Sequence, residues 1–288
     1  MNLGLIIGKL GWHALAVEQA AHHEGHTVVR IDLRAIQAKT TPNANRDLRC
    51  DAMLVRGLPT GSFEQITLRM DWLKMQDSMG IPMLNRPAAL EACIDKWETS
   101  WRLHEAGLPT PSTCVCQTTW QAHRAFEHLG NDVVIKPLFG SQGKGVQRFQ
   151  SKDLFIQECE TRIGKNEVIY LQQYIQHPPY DLRLLVLAGQ VIGAMKRHIQ
   201  ADWRSNIALG AKPEAHLPTA KETELALAAV QTLGAGLAGV DLLPTLDGQY
   251  QIIEVNGVPG WQALQSVHTM DLAQYVVKEM ARRVSRSG

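Results

Sequence analysis

Lys136-Pro137-Leu138-Phe139-Gly140-Ser141-Gln142-Gly143-Lys144-Gly145-Val146 is the stretch on which the reading of this chain turns. Three glycines in six residues let backbone amides come close to an anion, and lysines add positive charge. A triphosphate needs that combination. The apolar run 133–138 before the loop reads as a strand, and 146–149 after it resumes an extended path. The loop therefore joins two strands. It is not a P-loop, whose G-x-x-x-x-G-K-[ST] pattern runs into a helix. By itself it also reads as a plain, flexible glycine hairpin.

Working outward, a helix is predicted over 153–163 and strands over 168–175 and 182–188. A hairpin partner over 190–199 follows across Gly189. Residues 200–218 are polar and irregular. A helix over 219–233, strands over 239–243 and 250–255 and an amphipathic helix over 271–284 complete the second half. Upstream, strands over 3–8, 27–31, 52–55 and 81–84 alternate with helices over 13–24 and 63–79. That alternation predicts a parallel sheet covered on both faces. Gly8 and Gly11 read as a tight strand-to-helix turn, since a full G-x-G-x-x-G is absent. One helix over 88–106 ends at Gly107, and Leu108-Pro109-Thr110-Pro111 cannot be helical. A domain boundary is expected near 95–110.

Composition narrows the function classes. The 288 residues carry 29 Lys plus Arg against 28 Asp plus Glu, a net charge of +1, too balanced for bulk nucleic-acid binding. With 45% hydrophobic residues the chain has the apolar mass to fold. No stretch approaches the ~20 apolar residues of a membrane span. Met1 to Gly8 reads as a strand and not as a secretion signal. Five scattered cysteines point away from a disulfide framework and toward a cytoplasmic setting. Cys114 and Cys116 form a lone C-x-C without a second metal-ligand pair nearby.

Two further groups can carry chemistry. Asp241 lies in an apolar strand, as does Glu254, and Glu254, Asn256 and Ile252 are expected on one strand face by alternation. Buried carboxylates are costly unless paired or bound to cations. Asp, Glu and Asn oxygens suit magnesium, and arginine partners satisfy the carboxylates equally well. The second group is Arg183, Arg197 and Arg204. On a hairpin, Arg183 and Arg197 are expected to face one cleft, where arginine forks grip phosphate or carboxylate.

In this order the motifs resemble the ATP-grasp superfamily, and within it the amino-acid ligases that include the ribosomal-protein glutamate ligase. The resemblance runs from Asp95-Lys96 through the glycine loop, Gln173-Tyr174-Ile175, Asp181-Leu182-Arg183, Arg204-Ser205-Asn206 and Ala238-Gly239-Val240-Asp241 to Glu254-Val255-Asn256-Gly257-Val258-Pro259-Gly260. It implies an α/β (α+β) ATP-grasp fold behind an N-terminal Rossmann-like domain. The implied division is 1–95, a small lobe over 96–178 that carries the lid loop, and a large lobe over 179–288 with the metal site. By position it implies that Lys96 and Lys136 contact ATP phosphates under a lid of Gly140, Ser141, Gln142, Gly143 and Gly145. Gln172, Gln173, Tyr174 and Ile175 would line the adenine, with Asp181 near the ribose. Arg204, Ser205 and Asn206 would contact nucleotide and the reacting group. Asp241, Glu254 and Asn256 would hold magnesium or manganese. The family commonly has Glu where this chain has Gln173.

The reaction so implied is carboxylate–amine ligation through an acylphosphate, with Arg183, Arg197, Arg204 and Asn206 stabilising the reacting groups. The histidines read as surface or packing residues, with His198 and His268 the ones near the site. Similar ligases suggest L-glutamate as the amine and a tetrahydromethanopterin-type coenzyme as the carboxylate, in a homodimer or homotetramer. A protein C-terminus or an amino-group carrier protein are the other substrates that the family allows. A non-catalytic ATP-binding regulator of the same fold is the reading from another class. Trp261 either stacks on a flat pterin-like ring or packs in the core.

Overall fold

The computed structural model describes residues 1–40, 50–140, 143–199 and 210–287. The first sheet follows the strand–helix alternation: β1 (Asn2–Ile7), α1 (Trp12–His23), β2 (Thr27–Asp32), β3 (Ala52–Val55), α2 (Phe63–Ser78) and β4 (Met83–Leu84). Its strands are parallel in the order β2-β1-β3-β4. Ile6, Met53 and Val55 cluster with Trp72 and Leu73 on one face. Leu3, Leu5 and Leu54 cluster with Val17 and Val276 on the other. Covering on both faces is what a parallel sheet of apolar strands requires.

The expected single helix over 88–106 is two, α3 (Pro87–Ile94) and α4 (Lys96–Glu105). Asp95 between them is extended, with ψ 107°, and its carboxylate accepts from the N–H groups of Trp97 (2.8 Å) and Glu98 (3.2 Å). A short acidic side chain serves better as a helix cap than inside a helix, so the chain breaks there. The break makes Lys96 the first residue of α4.

The second sheet contains β5 (Thr113–Cys116), α5 (Thr119–His128), β6 (Val133–Lys136), β7 (Gln147–Phe149), α6 (Lys152–Ile163) and β8 (Ile169–Gln173). Its strands are antiparallel in the order β5-β8-β6-β7. β6 and β7 pair on either side of the glycine loop, as the two-strand reading predicts. Cys114, Cys116 and Cys159 belong to the core beneath α5 and α6. Burial raises all three thiols, which marks them as packing residues.

The third sheet contains β9 (Tyr180–Leu187), β10 (Gln190–His198), β11 (Lys212–Ala215), α7 (Ala220–Thr232), β12 (Leu237–Pro244), β13 (Tyr250–Asn256), α8 (Gln262–Gln265) and α9 (Leu272–Ser287). It is antiparallel, ordered β11-β10-β9-β12-β13. β11 falls in the stretch expected to be irregular. Lys-Pro-Glu-Ala has no apolar alternation to announce a strand, and Pro213 is tolerated because β11 is an edge. Among the described residues, no helix is long and apolar enough to cross a membrane.

One side chain joins the first sheet to the third. Asn85, 1% exposed, donates to the carbonyls of Leu237 and Gly257 (both 2.6 Å) and accepts from the N–H groups of Gly236 (2.7 Å) and Leu237 (2.8 Å). Asn85→Ala strips partners from four backbone groups, and a loss of about 3 kcal/mol in unfolding free energy is expected by urea denaturation. A loss below about 1 kcal/mol would mean that water replaces the amide.

Candidate functional site

A cleft opens between the second and third sheets. Val134, Lys136, Gln172 and Gln173 line it from one side, and Asp181, Arg197, Asp241, Leu243, Ile253 and Glu254 from the other. Lys96, Gly140, Gly143 and Lys144 border it, as do Tyr174, Ile175 and His177.

The third sheet supplies the charges through strand alternation. On β9, residues 181, 183, 185 and 187 share a face. Its lower end carries Leu185 and Leu187, which cluster with Met195 and Leu237. The other end carries Asp181 and Arg183, beside Arg197 of β10 and Asp241 of β12. All four are at least nine-tenths buried. Arg197 donates to both oxygens of Asp181 (2.7 Å from Nε) and lies 2.9 Å from Asp241. Arg183 donates to both oxygens of Asp241, at 2.7 Å from Nη2. A Cβ at residue 239 would lie 2.8 Å from Arg183 Nη1, so Gly239 makes room for that guanidinium. Burial opposes the charge on Asp241, but Arg183 and Arg197 outweigh it and hold the carboxyl below its usual range. Burial likewise opposes the charge on Arg197, and Asp181 and Asp241 outweigh it upward.

Against this network stand two lysines. Lys136 Nζ donates to Gln172 Oε1 (2.5 Å), and Gln172 Nε2 donates to Thr113 Oγ1 (2.9 Å). Burial pushes Lys136 down to about 8, against the attraction of Glu254. Lys96 is lowered by burial too, with Glu254 and Asp95 opposing. Lys96 Nζ donates to the carbonyl of Gly140 (2.8 Å), so α4 is tied to the glycine loop. Gly140, Gly143 and Gly145 have φ of 137°, 69° and 72°, a region that side chains avoid. Glu254 is directly opposite Asp241 in register and has no hydrogen bond or ion pair among the described residues.

Most of the anticipated residues therefore converge, with four qualifications. Ile252 does not share a face with Glu254: a bulge between β12 and β13 pairs Leu242 with Ile252 directly after Asp241 with Glu254. The extra residue turns Ile252 into the core and Ile253 to the cleft. Arg183 and Asn256 do not line the cleft; Asn256 Oδ1 accepts from Val258 N–H at 3.0 Å. His198 and His268 do not line it either, being bound to Glu214 and to the Ala194 carbonyl, and the histidine that does is His177. Ser141, Gln142, Arg204, Ser205 and Asn206 lie outside the described residues. Trp261 is 1% exposed and belongs to the core, so it is a packing residue. Pro111, Val134, Val146, Leu243 and Ile253 add apolar cleft walls that the sequence reading missed. An apolar strand residue looks the same from sequence whether it faces a core or a ring-shaped ligand.

The cleft lies between two antiparallel sheets, with two lysines and a glycine loop facing Asp241 and Glu254. Residues 93–280 match the model of the RimK-like ATP-grasp domain. The chain belongs to the RimK-like ATP-grasp family. It is an ATP-grasp amino-acid ligase. It is 29% identical to the tetrahydromethanopterin:alpha-L-glutamate ligase of Methanosarcina acetivorans, over 93% of this chain and 94% of that one. It is also 29% identical to the alpha-aminoadipate–LysW ligase LysX of Saccharolobus solfataricus, over 73% and 78% of the two chains. Its fold matches that of the ATP-grasp ligase PsnB, solved with minimal precursor, Mg and ADP, at a TM-score of 0.76 and 18% identity over 99% and 98% of the chains. Every residue lining the cleft lies inside the RimK-like match.

Proposed function

We propose that this ATP-grasp ligase joins the amine of L-glutamate, or a similar acidic amino acid, to a carboxylate of a small tetrahydromethanopterin-type coenzyme. The observation that carries the reading is the cleft itself, which sets Lys96 and Lys136 against Asp241 and Glu254. Lys136 and Lys96 hold the ATP phosphates, and the loop of Gly140, Gly143 and Gly145 covers them. Gln172, Gln173, Tyr174 and Ile175 line the base together with the apolar walls. Asp181 acts through Arg197, whose guanidinium it orients. Arg197, which lines the cleft, stabilises charge on the acyl group, and Arg183 acts behind it by holding Asp241. The full-length likeness to the tetrahydromethanopterin ligase supports the choice of substrates.

Glu254 lines the cleft beside Asp241 and offers oxygens that suit a hard divalent cation, whereas Asp241 is held by Arg183 and Arg197, and Asn256 Oδ1 accepts from Val258 N–H outside the cleft lining. Among the described residues no group of three His, Cys, Asp or Glu is placed to hold a metal ion. Bound there, magnesium would neutralise charge on the phosphates. In the reaction the substrate carboxylate attacks the γ-phosphorus and the bond to ADP breaks. The amine then attacks the acyl carbon, phosphate leaves and the amine proton goes to solvent. Closure of the glycine loop keeps water from the acylphosphate.

Screening carboxylate and amine pairs for amine-dependent ADP release tests this. ADP release with L-glutamate and a pterin-type carboxylate is expected. Magnesium-dependent ATP binding without turnover of any pair would favour a regulatory ATP-binding protein.

Lys136 adds a pH dependence. Its folded value of about 8 lies below the ordinary 10.5, and phosphate binding needs the ammonium form. ATP affinity is therefore expected to be flat below about pH 7 and to weaken up to tenfold per pH unit above 8. Calorimetry in buffers of different ionisation enthalpy should show proton uptake near pH 8–9, absent in Lys136→Met. For the empty fold the sign is opposite: the unfolded chain binds more protons between 8 and 10.5, so stability rises with pH there.

A further inference from the structure

The parallel sheet has a reversal point of its own. From β1 the chain steps to β2 on one side and then returns to β3 on the other, so the order reverses between β1 and β3. In open parallel sheets, ligands sit outside the carboxyl ends of the strands at such a point. Two segments meet there. Gly8 follows β1, and Arg56-Gly57 follows β3. A Cβ at residue 57 would lie 2.7 Å from Gly8 N, so the two strand ends touch.

Arg56 is anomalous in this place. Its Nη2 donates to the carbonyl of Pro259 (2.7 Å), while Nε and Nη1 are buried with no hydrogen-bond partner among the described residues. The guanidinium lies 4.2 Å above the Trp261 ring, whose own Nε1 is buried without a partner among the described residues. Burial lowers Arg56 to about 9, and among the described residues no carboxylate acts against it. The neighbouring His13 supplies none: its Nε2 accepts from the N–H groups of Trp261 (2.8 Å) and Gln262 (3.1 Å), and burial and Arg56 push it down to about 4. His13 lies in the first turn of α1, which starts at Gly11 with no side-chain cap and no acidic residue. The positive end of that helix is thus also uncompensated. Unsatisfied guanidinium donors in a buried place are destabilising unless an anion completes them. Pro259, which takes Arg56 Nη2, is also 3.1 Å from a Cβ built at Gly239, which Arg183 Nη1 approaches to 2.8 Å. One proline separates the Arg56 guanidinium from that of Arg183.

We infer that Arg56 binds a carboxylate of the amine substrate and so selects an acidic amino acid. This rests on the ligase reading above. It adds that the amine partner is recognised at the end of the parallel sheet, outside the nucleotide cleft. The amine then reaches the acyl carbon beside Arg183 while its carboxylate stays on Arg56 and the first turn of α1.

The test is a titration of the full chain with L-glutamate in the presence of ADP and magnesium, with ATP affinity measured in parallel. Arg56→Met is expected to weaken L-glutamate by about 30-fold or more and to leave ATP affinity within about threefold. Of the two mono-amides, L-glutamine and L-isoglutamine, one should lose a similar factor against the wild type and little more against Arg56→Met. Should the methionine variant fail to fold, Arg56→Lys carries the test. It keeps the charge without the Nε donor and is expected to cost L-glutamate about tenfold. Wild-type binding of L-glutamate with less than a threefold change in the folded variants overturns the assignment of Arg56 and leaves the ligase reading standing. A wild type that releases ADP only with amines lacking a carboxylate overturns it too. Absence of any ADP release removes the ligase reading and this inference together.

Discussion

Glu254→Ala is expected to lower kcat for ADP-forming ligation by roughly 10³-fold while the melting temperature stays within about 2 °C of wild type. The two halves of that result have separate causes. Turnover falls because Glu254 is a carboxylate of the cleft that no arginine among the described residues occupies, so it has oxygens to give to a cation. Stability holds because the half-buried side chain has no hydrogen bond or ion pair among the described residues. A further sign is available. Glu254 is the carboxylate that acts most strongly in favour of charge on Lys136, so its removal should lower that lysine further. The pH at which ATP affinity begins to weaken should then move down. A variant with near wild-type kcat would remove Glu254 from the metal site.

Arg197→Met is expected to destabilise the fold by about 3–5 kcal/mol, read from urea unfolding at pH 7. Arg197 partners Asp181, which is 0% exposed, and Asp241, which is 2% exposed. Arg183 still serves Asp241 after the substitution. Asp181 loses the guanidinium that binds both its oxygens. A buried carboxylate deprived of its cation gains a raised folded pKa. The sign follows from linkage: its contribution is favourable below the unfolded value and is lost as pH rises through the folded one. The variant should therefore recover stability relative to wild type as pH falls toward 4. The double variant Asp181→Leu with Arg197→Met should be more stable than Arg197→Met, because it removes the buried carboxylate together with the guanidinium that binds both its oxygens. Equal stability of Arg197→Met and wild type at pH 7 would show that Asp181 does not depend on Arg197 for its charge.

The strand–helix alternation of the first ninety residues and the loop between β6 and β7 were legible because both rest on local pattern. Apolar runs, glycines and prolines report their own neighbourhood. The features that escaped depend on partners far along the chain. Alternation places Ile252 with Glu254, and only the pairing with β12 reveals the bulge that separates them. Asp241 reads equally well as a metal ligand or an arginine partner, and Arg183 and Arg197 reach it only across two neighbouring strands. The Asp95 break is a local signal that the apolar periodicity of 88–106 masks, although Asp followed by Lys-Trp-Glu has the form of a cap. Trp261 has no local sign of burial at all. Its position is decided by His13 and Arg56, more than 200 residues earlier.

That same distance in sequence bears on how the chain is made. Asn85 finds its partners at residues 236, 237 and 257, and Val276 and Met280 of α9 complete the cluster that covers β1. Ribosomes add about 5–20 residues per second, so Asn85 emerges roughly 10–35 s before Gly257 does. For that interval the apolar face of the parallel sheet that α9 will cover has only α1 against it. A nascent chain of this kind stays open to chaperones and to self-association until its last helix arrives. Cutting the chain ahead of Leu272 should accordingly yield aggregate in place of a folded N-terminal unit.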